Sequence, residues 1–404
     1  MSPHPCPRTF RTSRTSPRGL RALRTLTVLT ACAALLAPGA AQAVERGEGH
    51  PHDPLQRQLE ELVRAPGGPP GAIAVLRDGH RERVVRAGVA DLRTGRPPRT
   101  GDHMRIASTA KAFSGAVALS LVGHGALKLD DTLGRRLPKL PRAWRGVTLR
   151  QLLNHTSGLP DYSQAPAFGD VLRADPHHRF DSRRLLDYVR DQPLRFPPGS
   201  RYQYSNSDNI AVALMAEAVT RVPYERLLGG LVYGPLGLHR TSLPQGYRMR
   251  EPYLHGYDVG GPGAPEDVSE LIGMSGVWAS GGIVSTPADM SRFVSAYAGG
   301  RLYGRDVVRA QRRWVPGGAS EPAGPGRNDA GLALFRYTTR CGVVLGHTGN
   351  TAGYTQLIAA TPDGRRSLAF SVTAQINERA EPALLGRLRA VQENFVCALL
   401  GDKN

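Results

Sequence analysis

The sequence predicts an α+β fold: an antiparallel β-sheet built from both chain ends and flanked by helices, with a mainly helical domain inserted between the two halves. Three observations predict it. Two β-rich runs, 71–76 and 83–89, surround the turn Arg77-Asp78-Gly79-His80, a hairpin signal. Four more strand candidates, 331–337, 342–347, 354–360 and 367–373, gather toward the C-terminus. Between these groups, 127–271 reads as helices broken by Pro/Gly loops. The expected division is a leader at 1–43, a sheet domain from 44–126 and 272–404, and a helical insert at 127–271. An insert covering one side of such a sheet leaves a cleft at the junction, where sites tend to form.

The elements follow in order. Residues 1–24 hold six Arg and no acid, 26–36 is mostly apolar, and Ala41-Gln42-Ala43 fits a cleavage site. Together these read as a secretory leader that would leave a secreted, extracellular protein. The alternative is lipoprotein anchoring at Cys32, on the stretch Leu29-Thr30-Ala31-Cys32. A polar lead with His50 and His52 precedes a helix at 55–63, marked by Leu55, Leu59, Leu62 and Val63. After the hairpin comes a helix at 108–121. The insert's clearer helical pieces are 149–153, 183–189 and 209–221, and 260–265 reads as a flexible exposed loop. Thr286-Pro287 caps a helix to 298, 306–314 is a shorter one, and 383–400 closes the chain. No repeat of 20–50 residues is present.

The chain has 404 residues with 40% apolar content, enough for a sizeable core. Removing the leader takes six positive charges from the net +18 and leaves +12. That charge is spread along the chain and no nucleic-acid module accompanies it, so nucleic acid is not the expected partner. For an exported protein an anionic wall polymer such as peptidoglycan is the better counter-ion. No later stretch is apolar enough to span a membrane. Cys6 and Cys32 leave with the leader. Cys341 and Cys397 remain, an even pair that an oxidising compartment would join, the alternative being two buried thiols. A monomer is expected.

The chemistry centres on Ser108-Thr109-Ala110-Lys111, at a strand end turning into a helix. Ser and Lys three apart share a helix face, which suits a nucleophile and the base that takes its proton. Only four of the 52 cationic residues are Lys, and Lys111 stands where a base is needed; Arg could not serve. Tyr204-Ser205-Asn206 follows in the insert, on a loop from which both outer side chains can face one pocket. A Tyr beside a cation can have a lowered pKa and act as a base, and Asn206 can both donate to and accept from an amide. His347-Thr348-Gly349-Asn350 lies at a strand end, with Gly349 permitting close approach. Each stretch alone has a bland reading: a surface Lys, a buried Tyr at a helix start, a strand turning.

In this order and on these elements, the three stretches resemble the penicillin-recognising serine hydrolases. The resemblance is specifically to the branch holding class C β-lactamases and the secreted D-alanyl-D-alanine carboxypeptidase, and in that carboxypeptidase His-Thr-Gly replaces the commoner Lys-Thr-Gly. The stretch 151–162, Pro198-Gly199, 280–286 and the placement of Cys341 and Cys397 agree, and the likeness covers 54–399. It implies a β-lactamase/transpeptidase-like fold and a small peptide or β-lactam as substrate. It also implies acyl transfer through Ser108, with Lys111 and Tyr204 moving the proton. The oxyanion would sit between the N–H groups of Ser108 and Asn350, and Asn206, His347, Thr348 and Gly349 would line the substrate site. No cofactor or metal is implied.

Two departures bear on specificity. Asn350 stands where the carboxypeptidase has a Thr, and Phe335 where it has an Arg, with Arg336 and Thr351 one position away. Both replaced groups hold a terminal carboxylate, so a weak preference for a free C-terminus is expected. A class C-like β-lactamase, an esterase on the same scaffold and a non-catalytic wall or β-lactam binder are the alternatives. Competing signatures are absent: no Gly-x-Ser-x-Gly, His-Glu-x-x-His, Cys-x-x-Cys or phosphate-binding Gly-Lys loop. His177-His178 reads as an exposed pair, and Trp278 as either a cleft wall or core.

Overall fold

The structure is a computed structural model in which residues 47–48 and 53–401 are described. The leader, Cys6, Cys32, His50, His52 and the Ala41-Gln42-Ala43 site lie outside the described residues. Nine strands form the main sheet. They are β1 Gly47–Glu48, β2 Gly71–Asp78, β3 Arg81–Gly88, β4 Val315–Pro316, β5 Arg327–Ala330, β6 Phe335–Thr339, β7 Gly342–Thr351, β8 Tyr354–Ala360 and β9 Arg366–Val372. Their order is β1-β3-β2-β9-β8-β7-β6-β5-β4, antiparallel except for β1 beside β3. Leu368 of β9 sits opposite Leu76 of β2, so the last strand of the chain pairs with its first hairpin.

Side-chain alternation gives the sheet two apolar faces. In β8, Leu357 and Ala359 join one core while Tyr354, Ile358 and Ala360 join the other. The first core lies beneath α1 Pro54–Arg64 and α5 Pro382–Leu400, through Leu59, Leu62, Leu388 and Phe395. The second packs against α2 Ala110–Gly123, α3 Asn206–Thr220 and α4 Pro287–Ala298. α2 is enclosed on every side: Ala110 through Leu121 are all buried. Phe113 stacks on Phe293 of α4 with ring centroids 3.6 Å apart. Thr286 caps α4 by accepting from Asp289 N, as Thr286-Pro287 predicts. Val44–Asn404 forms one compact unit, and sheet and helical segments share its core.

The helix read at 306–314 is Arg305–Gln311 and the piece at 183–189 is 3-10, and three further elements differ from the sequence reading in ways that bear on the site. The run 331–337 is not one strand. Gly331 N donates to Leu334 O in a turn that sends Leu332 and Leu334 into the helical-side core, and β6 begins only at Phe335. β7 continues to Thr351, so His347 to Asn350 lie along a strand rather than at its end. α3 starts at Asn206, with Ser205 in extended geometry before it, so Asn206 is helical and only Tyr204 is in the loop. Cys341, in the β6–β7 turn, is bonded to Cys397 of α5. Among the described residues no helix is long and apolar enough to cross a membrane.

Candidate active site

Ser108 lies in a single 3-10 turn, Ala107–Thr109, that leads directly into α2. Ala107 has φ +49°, a left-handed conformation that costs a non-glycine residue energy and recurs at functional turns. The turn is held from two sides. Gln356 of β8 donates to Arg105 O at 3.1 Å, and β7 crosses so closely that a Cβ on Gly349 would lie 2.4 Å from Ile106 O. Only glycine lets that strand touch the turn carrying Ser108.

One helical turn on, Lys111 is completely buried. Its Nζ is 3.1 Å from Ser108 Oγ, 2.7 Å from Asn206 Oδ1 and 2.8 Å from Ser280 O. The last two are carbonyl oxygens and can only accept. A neutral amine has two N–H groups and one lone pair. The two carbonyls take the two N–H groups, and the lone pair is left for the Ser108 hydroxyl. Burial brings the Lys111 amine down to about 7, against the opposing charges of Asp161, Glu321 and Asp208. With the amine brought down to about 7, both states are populated near neutral pH: the ammonium donates to all three oxygens, and the neutral amine can accept from the Ser108 hydroxyl.

Asn206 is oriented by Asp161, whose Oδ2 accepts from Asn206 N at 2.9 Å and from Asn206 Nδ2 at 3.1 Å. Ser163 Oγ takes a second contact from Nδ2 at 3.0 Å. The side-chain oxygen must then face Lys111.

Tyr204 is half-buried, its hydroxyl enclosed beside Ser108 without a hydrogen bond of ordinary geometry, and Lys111 Nζ stands 5.0 Å from its ring centroid. Enclosure of the hydroxyl pushes the phenol well above its usual value, although the nearby Ser108 hydroxyl works the other way. The expected lowering does not occur: Lys111 sits over the ring and is near neutrality, so desolvation wins. Tyr204 remains a phenol, able to pass a proton but not to act as a phenolate. Beneath it, His155 packs at 4.6 Å between ring centroids, with Nδ1 2.8 Å from Asp208 Oδ2. Burial lowers His155 to about 3 and raises Asp208, so the pair is held without net charge.

The third stretch is placed differently from expectation. His347 is buried behind the cavity wall, with Nδ1 2.6 Å from Thr348 O and its ring edge-on to Phe335 at 4.9 Å. Thr348 is buried too, and its Oγ1 lies 2.6 Å from both Ser320 Oγ and Pro322 O. Gly349 faces the Ser108 turn. None of these three lines the cavity; they support it. Asn350 does line it, but its side chain is engaged, donating to Thr355 Oγ1 and Ile376 O and accepting from Gln375 and Asn377. Only its backbone is left for substrate. His177 stacks on Tyr247, and Trp278 is core, donating to Glu225.

The cavity measures about 560 Å³ and brings Ser108, Tyr204 and Asn206 together with Tyr162, Ser280 and Asn350. Glu321, Gln375, Asn377, Glu378 and Arg379 also line it, and nothing in their sequence context marks them: they come from loops without a motif. Asp161 and Ser280 lie in stretches that the resemblance covers, but their roles emerge only from the fold. Among the described residues no cluster of His, Cys, Asp and Glu has the makings of a metal site.

A serine at a strained turn, a buried lysine and a phenol over one cleft beside an antiparallel sheet form the arrangement expected of the penicillin-recognising serine hydrolases. Residues 40–392 match the Beta-lactamase family, and the chain belongs to it. Penicillin-binding protein 4* of Bacillus subtilis is 26% identical over 74% of this chain and 66% of its own length. The chain therefore spans just under two thirds of that relative. Esterase EstB of Burkholderia gladioli is 31% identical over 63% of this chain and 73% of its own. The crystal structure of a D-stereospecific amidohydrolase from a Streptomyces species superposes with a TM-score of 0.71 at 28% identity, covering 83% of this chain and 97% of that one.

Proposed function

We propose that the protein is a D-alanyl-D-alanine carboxypeptidase-like amide hydrolase that opens peptide bonds beside D-residues through an acyl-enzyme on Ser108, and that β-lactams acylate the same serine. The observation that carries this is the buried Lys111 amine, 3.1 Å from Ser108 Oγ, with two carbonyl acceptors for its N–H groups. Ser108 Oγ attacks the substrate carbonyl carbon as its proton passes to Lys111 Nζ. The carbonyl oxygen becomes an oxyanion, which the N–H groups of Ser108 and Asn350 would stabilise. The C–N bond then breaks, and the amine leaves with a proton relayed from Lys111 through the Tyr204 hydroxyl. Water attacks the ester, its proton returns to the same pair, and the acid is released with Ser108 restored. The likeness to a D-stereospecific amidohydrolase supports the choice of D-residue amides.

The test is labelling with a fluorescent penicillin, followed by the rate of label loss and by an assay of amine release from N-acyl-D-Ala-D-Ala and D-residue amides. A wild-type protein that takes no label and releases no amine would remove the reading. Rapid loss of label without amide turnover would make it a β-lactamase instead. We propose also that 1–43 directs export and that 127–271 is a mainly helical inserted domain. Mature protein starting at Val44, by N-terminal sequencing, is the expected result for the first.

A further inference from the structure

The buried pair His155 and Asp208 takes no part in the acyl-transfer steps, yet it packs against a group that does. His155 Nδ1 is 2.8 Å from Asp208 Oδ2, and Ser157 Oγ donates to Asp208 Oδ1. Ser157 Oγ in turn accepts from Leu159 N at 3.0 Å, which fixes the direction of its own proton. All three side chains are buried. His155 holds φ +57°, a left-handed conformation that a non-glycine residue adopts at a cost. A buried polar network of paired groups is rigid. This one ties the turn after the helix Leu149–Leu153 to the first turn of α3.

Tyr204 needs such a support. Its hydroxyl has no hydrogen bond of ordinary geometry, so no polar contact of its own aims the side chain. The ring and the backbone must do so. The ring centroid is 5.0 Å from the Lys111 amine and 4.6 Å from the centroid of the His155 ring. The backbone is held one residue earlier, where Gln203 N donates to His155 O at 2.9 Å. His155 thus touches the ring of Tyr204 and the main chain that precedes it. Through Asp208 it also reaches the helix that begins at Asn206, whose Oδ1 meets Lys111. One histidine therefore links the two groups between which the proton travels.

We propose that His155, set by Asp208, is a positioning residue that aims the Tyr204 hydroxyl at the departing nitrogen, and so makes the cleft competent for leaving groups that must be protonated. This rests on the reading of Ser108 as the nucleophile and of Tyr204 as the relay to the leaving amine. The two half-steps make different demands. Attack by Ser108 passes its proton to Lys111 and asks nothing of Tyr204. Breaking the C–N bond requires a proton on nitrogen, whereas a nitrophenolate leaves without one. A displaced Tyr204 therefore slows the amide and spares the activated ester. A general loosening of the cleft slows both.

The experiment compares kcat/KM, which reports acylation, for the amide and the p-nitrophenyl ester of one N-acetyl-D-residue. His155→Asn tolerates the left-handed backbone but removes the ring. Asp208→Leu keeps the buried volume but frees the ring. Both should lower kcat/KM for the amide by about 10²-fold or more while the ester stays within about tenfold, and turnover of the ester shows that the variant is folded. Asp208→Asn can still accept from Ser157 and donate to His155 Nδ1, and should keep the amide within about tenfold of wild type. Equal losses on amide and ester in His155→Asn overturn the proposal and leave the pair a part of the scaffold. So does undiminished amide hydrolysis in that variant. So does a hundredfold loss on the amide in Asp208→Asn, which would show that the pair acts through its proton rather than its hold. If Asp208→Leu does not fold, the two Asn variants decide by the same comparison. If wild type is not acylated by ester or penicillin, the parent reading fails before any variant is made, and this inference falls with it.

Discussion

Lys111 Nζ lies 2.7 Å from Asn206 Oδ1, and one helical turn along both partners Ser114 Oγ lies 2.6 Å from Asn209 Oδ1. α2 and α3 are thus joined by two polar rungs of the same register. The first rung sets the direction of the lysine lone pair, and the second holds the helices so that it stays set. A buried amine between apolar helices would otherwise be a liability. Here its hydrogen-bonding capacity is completed by groups that leave one role open.

Replacing either member of the proton-transfer pair should therefore stop the reaction without unfolding the protein. Ser108→Ala should lose covalent β-lactam labelling entirely, since only a half-buried hydroxyl is removed. Lys111→Arg keeps a cation that cannot accept a proton, and should lower the acylation rate by about 10²–10⁴-fold. Stopped-flow acylation with a chromogenic β-lactam reads both. Labelling of Ser108→Ala would move the nucleophile elsewhere, and near-normal acylation by Lys111→Arg would leave Lys111 a purely electrostatic role.

The pH profile should have one limb in the accessible range. In the proposed mechanism the active form is the neutral Lys111 amine, brought down by burial to about 7. kcat/KM for acylation should rise as pH increases through about 7 and then level off. Tyr204, raised well above its usual value by burial, should contribute no alkaline fall below pH 9. Linkage carries the same sign. Unfolded, the amine keeps its proton to its ordinary value of 10.5, so between about 7 and 10.5 the unfolded chain binds the extra proton. Stability from this group therefore rises with pH across that window. A bell centred on pH 7 would show that a second group, not Lys111 alone, limits acylation.

Sequence carried Ser108, Lys111, Tyr204 and Asn206 because each is chemically unusual in its context, Lys111 most of all in an Arg-rich chain. It also carried the sheet built from both ends, since β-rich runs sit at both ends of a helical middle. It misplaced Thr348, because a motif shows which residues are together and not which way a buried hydroxyl turns; that depends on Pro322, 26 positions away. β5, Arg-Asn-Asp-Ala, has no β pattern and exists through its pairing with β6 on one side and β4 on the other. Glu321 and Arg379 come from loops, where position follows from anchoring contacts that no local pattern records.

Gly349→Ala tests the contact between β7 and the nucleophile turn. The new methyl would stand 2.4 Å from Ile106 O and 3.1 Å from Thr109 N, both backbone atoms. Either the strand or the turn must move. The expected cost is about 1–3 kcal/mol of stability. Acylation should fall by at least about tenfold, beyond what the lower thermal midpoint explains. A variant less stable but normally acylated would show that the strand yields and the turn does not.

The Cys341–Cys397 bond ties the β6–β7 turn to α5 across 56 residues of sequence. A loop of that length corresponds to about 4 kcal/mol in the chain-entropy account. Mass spectrometry of native protein should find neither cysteine free, and reduction should lower the thermal midpoint while Ser108 labelling at 25 °C persists. Two free thiols in native protein would remove the bond from the account of its stability.

Asp161 should act on the reaction through Asn206 and Lys111 rather than on substrate. Its Oδ2 takes both Asn206 N and Nδ2, which leaves Oδ1 as the only face of that amide turned to Lys111. Its charge is also the largest influence holding the Lys111 proton on. Two substitutions separate these effects. Asp161→Asn retains an acceptor for Asn206 but removes the charge, so the acid limb of the acylation profile should move to lower pH with a rate above pH 8 within about tenfold of wild type. Asp161→Ala removes the acceptor as well. Asn206 can then turn its NH₂ toward Lys111, taking up the lone pair that should face Ser108, and the plateau rate should fall by about 10²-fold or more. Equal plateaus and an unmoved limb in both variants would reduce Asp161 to a structural cap for Ser163, which it also serves through Oδ1 at 2.9 Å.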